Sequence, residues 1–265
     1  MLARPFSGAK RGGREKRDLL VEEPLEIRFD SETVATTMRT PGNDFELATG
    51  WCWAEGLLRK SPEEVRYCAT GSAVETEFNV VSVDSADGSQ SPSDSRATPP
   101  PRLSMATSSC GICGAEQIRD LFERLDPIDP PGLRISELVG LSAHVVHRQQ
   151  LFDSTGGAHG AAAFFDGEVA VLREDIGRHN AVDKVVGRLL LDDSIPAVGG
   201  VLWVSGRSSL EIVQKAWAAG FGAVVSVGAV SSMAVEVAER AGMVLAGFAR
   251  GDDVTLYAGE EHVRS

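Results

Sequence analysis

Positive charge is scarce in this chain: 26 Lys and Arg stand against 38 Asp and Glu in 265 residues, a formal net charge of −12. A nucleic acid or an anionic membrane would be repelled by such a surface unless basic residues were gathered in one place. One gathering exists, six Lys and Arg within residues 1–17, but no apolar periodicity runs through it. Residues 1–20 are therefore expected to be a disordered basic arm, and neither nucleic acid nor membrane is expected as a partner. Long apolar runs are missing as well; nothing approaches the ~20 residues of a membrane span, and no apolar signal-peptide core follows the basic start. The expectation is a cytoplasmic protein. Cysteine is rare, four in the whole chain, which argues against structural disulfides in a reducing compartment. With 43% hydrophobic residues the chain can bury a core without such staples.

Cys52 and Cys68 stand singly among Trp51, Trp53 and Tyr67 and read as small buried hydrophobes. The other two are different. Cys110-Gly111-Ile112-Cys113 sets two thiols three residues apart, able to share one redox, metal or sulfur chemistry, in a backbone loosened by Gly111 and Gly114. Residues 115–125 have helical spacing through Ile118, Leu121, Phe122 and Leu125, so the pair precedes a helix N-terminus, whose partial positive charge favours a thiolate. Upstream, residues 84–102 hold no large apolar side chain and include a Pro triplet, the composition of an exposed insert.

Residues 25–29 and 33–39 alternate as strands around a turn at 30–32. A helix follows, with Asp44 as expected N-cap and Phe45, Leu47, Ala48 and Trp51 on its apolar face. In the second half, a helix from about Ser142 to Thr155 precedes a hairpin around Asp166-Gly167, and another helix starts at Asn180. Strands at 201–204, 223–227 and 244–248 then alternate with helices, the first capped by a Ser208–Glu211 box, and 254–257 closes the run. The class is α/β.

In βαβ units ligands sit beyond the carboxyl ends of the strands. Here those ends carry Ser205-Gly206-Arg207, Gly228-Ala229-Val230-Ser231 and Gly247-Phe248-Ala249-Arg250-Gly251, so Arg207 and Arg250 are candidates to grip an anion. The polar run Glu174-Asp175-Ile176-Gly177-Arg178-His179-Asn180 is either a site wall or a hydrogen-bonded corner, and His159 enters a strand otherwise built of Ala and Phe. Zinc fits poorly: a zinc deaminase needs His-x-Glu before Pro-Cys-x-x-Cys, whereas here the order is reversed, Ser109 precedes Cys110 and Ala161 stands where the Glu belongs. A zinc-dependent deaminase-like hydrolase and a CxxC dithiol oxidoreductase remain as alternatives.

Met38-Arg39-Thr40-Pro41-Gly42, Glu46-Leu47-Ala48-Thr49-Gly50, Ser109-Cys110-Gly111-Ile112-Cys113-Gly114, Thr155-Gly156-Gly157-Ala158-His159, the run from Glu174 to Lys184 and Ser205-Gly206-Arg207 together resemble the formate dehydrogenase accessory sulfurtransferases of the FdhD type. The resemblance spans about 25–257. It implies a cytidine deaminase-like layered α/β/α sheet domain without zinc (131–265), beside a smaller N-terminal α+β subdomain (21–130) carrying the CxxC loop and the 84–102 insert. It further implies a sulfurtransferase, or persulfide carrier. Such a protein takes sulfur from a cysteine desulfurase and passes it to the molybdenum cofactor, as Mo-bis(molybdopterin guanine dinucleotide), before insertion into the formate dehydrogenase catalytic subunit. On that model Cys110 carries the persulfide and Cys113 assists. Phe248, Ala249, Arg250, Gly251, Asp252 and Asp253, with Arg207, meet the cofactor; no permanently bound metal is implied, and a homodimer is. Two departures stand out: Gly228-Ala229-Val230-Ser231 replaces the usual Ser-Ala-Pro-Thr, and Asp252-Asp253 add negative charge to the cofactor-binding stretch.

Overall fold

A computed structural model describes residues 1–68, 78–86, 121–130 and 132–264. The expected hairpin is there as β1 (Glu23–Phe29) and β2 (Glu32–Arg39), turning through Asp30 and Ser31 with φ of 47° and 73°. Two left-handed residues match the twist of the flanking strands. Leu25, Ile27 and Phe29 alternate into the core and are wholly buried, as a half-buried strand requires. Helix α1 (Asp44–Ala54) covers this face, and β3 (Glu64–Tyr67) and β4 (Val80–Asp84) complete a sheet of order β2-β1-β4-β3. Strand β4 runs parallel to β1, and Asp84, expected to open the insert, ends that strand bonded to Arg66 and Ser82. From residue 87 onward the expected insert lies outside the described residues.

Two local expectations are corrected in this half. Asn43, not Asp44, occupies the cap position, at φ 58° and without a side-chain cap bond. Asp44 is instead buried against Arg39, accepting from Nε at 3.1 Å and Nη2 at 2.9 Å, because a desolvated carboxylate is held more strongly by a guanidinium than by one backbone N–H. The basic arm is not featureless either. Leu2–Ala3 pair with Glu15–Lys16, and Phe6–Ser7 with Lys10–Arg11.

The larger body follows α2 (Leu141–Val146) and α3 (Gln150–Thr155). These replace the single helix expected from Ser142 to Thr155, because Gln149 turns inward between them and is buried beside Gly160. Carboxylate oxygens of Glu174 then cap α3, accepting from Leu151 and Phe152 N–H at 2.9 and 2.8 Å. Strands β5 (His159–Phe165) and β6 (Glu168–Asp175) form the hairpin around Asp166-Gly167. Helix α4 (Arg178–Leu191), β7 (Val201–Val204), α5 (Leu210–Ala218), β8 (Ala223–Ser226), α6 (Ser232–Ala241), β9 (Val244–Arg250) and β10 (Asp253–Ala258) follow. The six strands order as β6-β5-β7-β8-β9-β10, with β7, β8 and β9 parallel.

Both faces of this sheet are covered, which is why its central strands read as unbroken apolar runs. Ala161, Ala163, Leu202, Val204, Val224 and Leu245 face α4, α5 and α6; Ala162, Phe164, Trp203, Val225 and Ala246 face Leu138, Leu141 and Val145. The class is α/β, layered. Residues 121–130 pack on the larger body, with Trp217 Nε1 donating to Asp126 O at 2.7 Å and Ile128 N to Ala241 O at 2.7 Å, so the chain crosses over before residue 131. The two bodies meet where α1 crosses α4. Gly50 and Gly187 make the crossing possible, since a Cβ on either would overlap the backbone of the facing helix, at Asp183 and Glu46 respectively.

Candidate functional site

Three loops converge beyond the carboxyl ends of β7, β8 and β9. The ladder continues through them: Gly228 N donates to Gly206 O at 2.9 Å, Ser208 N to Ala229 O at 3.1 Å, Ser231 N to Ser208 O at 3.0 Å and Phe248 N to Gly228 O at 3.0 Å. The expected ligand edge is thus one continuous rim. Phe248 stands on it 45% exposed with φ 52°, a conformation that costs a bulky L-residue of the order of 1–2 kcal/mol. Ala249 is buried, while Arg250, Gly251, Asp252 and Asp253 are exposed at the β9–β10 turn. Arg207 is exposed on the first loop. Among the described residues neither Arg207 nor Arg250 has an ion-pair partner.

The polar run between β6 and α4 divides into two. Asp175 is wholly buried and its carboxylate accepts from Thr40 N at 3.1 Å, Gly177 N at 2.8 Å and Asn180 Nδ2 at 3.0 Å, with Lys184 Nζ at 2.7 Å. Lys184 also donates to Thr40 O at 2.9 Å, and Asn180 to Met38 O at 2.8 Å. These side chains form the corner that locks the 38–42 loop onto the larger body, so their role is structural. Arg178 and His179 face the other way, toward the rim.

There His159 is half-buried, its pKa lowered by burial and then by Arg178 and Arg207, with Asp175 opposing. His179 lies 3.2 Å from Glu211 and 3.4 Å from Ser209 Oγ. Burial pushes its pKa down from the ordinary 6.5 to about 4, Glu211 opposing and Lys215, Arg178 and His159 adding to the fall. The expected Ser208–Glu211 capping box is absent: Ser209 takes the cap position of α5 and Glu211 turns to His179. Below them, burial works against the Lys215 ammonium, but Asp183 at 2.6 Å, with Glu55 and Glu211, outweighs it and raises its pKa.

A pH dependence follows from His179. Its folded pKa lies below the unfolded one, so the unfolded chain binds the extra proton between pH 6.5 and 4. Its contribution to stability is full above pH 6.5 and is lost as pH falls toward 4. At roughly 1.4 kcal/mol per unit the loss approaches about 3 kcal/mol. Urea denaturation of His179→Gln, which cannot titrate, is expected to show that much less acid sensitivity across the same interval than the wild type.

Cys110 and Cys113 lie outside the described residues. Residues 121–124 are helical, where the helix expected after them ends, and Leu121 is buried against the larger core. Arg124 Nη2 donates to Ala54 O at 2.9 Å. Cys52 is wholly buried in α1, its thiol pKa pushed well up by burial and then by Asp183; Cys68 is half-buried. Among the described residues no three His, Cys, Asp or Glu side chains gather closely enough to hold a metal ion, and no helix is long and apolar enough to cross a membrane. Ser208, like Asp44, does not take the cap position that its pattern suggests, since a hydroxyl three residues before a glutamate reads as a cap wherever it sits.

Residues 20–264 match the model of the FdhD/NarQ family. A Corynebacterium efficiens protein named "Sulfur carrier protein FdhD" is 42% identical, over 91% of this chain and 89% of its own length. A Streptomyces coelicolor protein of the same name is 42% identical over 92% of this chain and 88% of its own. In fold, the crystal structure of a Desulfotalea psychrophila protein, described as a candidate formate dehydrogenase accessory protein, is similar at TM-score 0.77 and 21% identity, covering 100% of this chain and 98% of the other.

Proposed function

This chain belongs to the FdhD/NarQ family, and from that premise we propose that it is a sulfur carrier serving formate dehydrogenase. The family match over residues 20–264 carries the reading, and the Cys110–Cys113 pair supplies its chemistry. In the cytoplasm, the Cys110 thiolate attacks the terminal sulfur of a desulfurase persulfide; the sulfur–sulfur bond breaks and the desulfurase thiolate leaves. Cys110 then holds the sulfur as a persulfide. For release, the Cys113 thiolate attacks the inner sulfur of that persulfide, forming a Cys110–Cys113 disulfide and expelling hydrosulfide. The two cysteine sulfurs, oxidised from thiol level to the disulfide, supply the two electrons that turn a sulfane sulfur into sulfide. The acceptor is the Mo-bis(molybdopterin guanine dinucleotide) substrate, before it enters the formate dehydrogenase catalytic subunit.

The rim supports the second half of this reading. Arg207 and Arg250 are exposed cations without ion-pair partners among the described residues, on a protein whose net charge is −12. An anionic nucleotide accounts for them. Residues 248–253 would form its cradle, with the exposed Phe248 ring offering a flat face to a base. A homodimer would bring two such rims to one cofactor with two nucleotide arms, and the layered sheet is read as a deaminase-like fold without its metal. Arg250→Ala is expected to weaken binding of guanosine diphosphate about tenfold, the loss of one charged hydrogen bond, with an affinity that falls as salt rises. Calorimetry checks it: unchanged affinity would place the nucleotide elsewhere. Binding of guanine at all separates a cofactor sulfurtransferase from a plain dithiol oxidoreductase.

A further inference from the structure

Two polar atoms near the rim are buried with no hydrogen-bond partner, Ser208 Oγ and Arg178 Nε. They belong to one place. Beyond β7 the chain bends at Ser205 and Gly206 and then pairs in parallel again at Ser208 with Val230; the carbonyls of Val204 and Ser208 both accept from the β8 side, at Val227 N and Ser231 N, so these two side chains share a face of the sheet. Val204 packs in the cluster under α4, which identifies that side. On β5, His159 alternates to it with Ala161 and Ala163. A Cβ built on Gly206 would stand 3.6 Å from His159 Nδ1 and 3.8 Å from Arg178 Cδ. Gly206 is therefore the floor between them.

The electrostatics of this spot favour an anion. Arg178 opens α4, a 14-residue helix whose cap residue, Gly177, brings no side chain and whose first turn holds no acidic residue. The positive end of the helix and the guanidinium reinforce each other, and Arg207 is near enough to depress the pKa of His159. Of the nearby carboxylates, Asp175 is paired with Lys184 and held by Asn180, and Glu211 lies 3.2 Å from the His179 ring. Two orphaned donors remain, a hydroxyl and a guanidinium N–H, and a neutral imidazole can add a third. A tetrahedral oxyanion offers an oxygen to each.

We propose that Arg178, Ser208 and His159, around Gly206, form a subsite for a phosphoryl group, with Arg207 at its rim. The inference rests on the nucleotide reading given above and deepens it. The diphosphate is held at the N-terminus of α4, and the nucleoside extends toward residues 248–253, two strands or ~10 Å away at the ordinary strand spacing.

Calorimetric titration of wild type, Arg178→Gln and Ser208→Ala with guanosine diphosphate, inorganic pyrophosphate and guanosine tests this. Arg178→Gln is expected to lower affinity for the diphosphate and for pyrophosphate tenfold or more and to leave guanosine unchanged. Ser208→Ala is expected to cost about threefold on the same two ligands while holding or raising the melting temperature, because it removes an unpaired buried hydroxyl. Its fold is thereby not in question even if Arg178→Gln proves unstable. Wild-type affinity for both phosphates in both variants would overturn the subsite, and a loss confined to Arg250→Ala would then leave the nucleotide reading standing alone. Pyrophosphate binding that depends on Arg178, with no response to guanosine diphosphate beyond it, would keep the subsite and sink the guanine reading. A wild type that binds neither phosphate overturns both.

Discussion

Cys110→Ala is expected to gain no sulfur when incubated with a cysteine desulfurase and cysteine, whereas the wild type gains one sulfur atom per chain by intact mass. On the proposed mechanism the effect is all or none, because the sulfur would be held in a covalent bond to this one atom. Cysteine at its ordinary pKa of about 8.5 is only a few per cent thiolate at neutral pH, and each unit of depression stabilises the reactive form by roughly 1.4 kcal/mol. The other thiols supply internal controls. Cys52 is wholly buried with its pKa pushed up, so it offers neither access nor thiolate, and Cys68 is half-buried in the smaller body. Cys52→Ala and Cys68→Ala should load as the wild type does. Cys113→Ala should also load but retain the sulfur, because the displacement that frees hydrosulfide needs its thiolate. Full loading of Cys110→Ala would remove the assignment, and release from Cys113→Ala at the wild-type rate would assign Cys113 no part in it.

Much of the fold was legible because period and turn chemistry agreed. Leu25, Ile27 and Phe29 alternate in the sequence and are buried in the structure; Asp166-Gly167 marks a hairpin and forms one. The parallel strands announced themselves as continuous apolar runs, and their carboxyl ends placed the rim. What was not legible depends on how the chain packs rather than on local pattern. Asp44 has the pattern of a cap, and only the folding of the 40–43 loop, which returns it to Arg39 five residues back, makes it a buried ion partner. Gln149 looks like a solvent-facing helix residue until β5 places Gly160 beneath it. Arg178 and Asn180 sit two residues apart in one motif, yet Asn180 belongs to the corner and Arg178 to the rim, since successive helix residues point about 100° apart.

Arg39→Met should destabilise the smaller body by about 3–5 kcal/mol, the range for stripping one partner from a buried ion pair. Arg39 is 1% exposed and its guanidinium is fully used: Nε and Nη2 reach both oxygens of Asp44, Nη2 also reaches Phe78 O and Asn79 Oδ1 at 3.1 Å, and Nη1 approaches Glu23 at 3.4 Å. Without it, Asp44, 3% exposed, keeps only the Tyr67 hydroxyl at 3.2 Å among its side-chain partners. A buried carboxylate with one neutral donor must protonate or draw water in, and either route loosens the start of α1. The larger body has its own core, so the loss should show first as faster hydrogen exchange in β1, β2 and α1, with β7 to β9 still protected. A second substitution separates charge from packing. Asp44→Asn in the Arg39→Met background removes the stranded charge and should recover a substantial part of the stability, although Asp44→Asn alone is destabilising because it strands Arg39 instead. Equal and additive losses in the urea denaturation cycle would show that the pair contributes packing alone; a positive coupling of 1 kcal/mol or more is the expected result for directly paired groups.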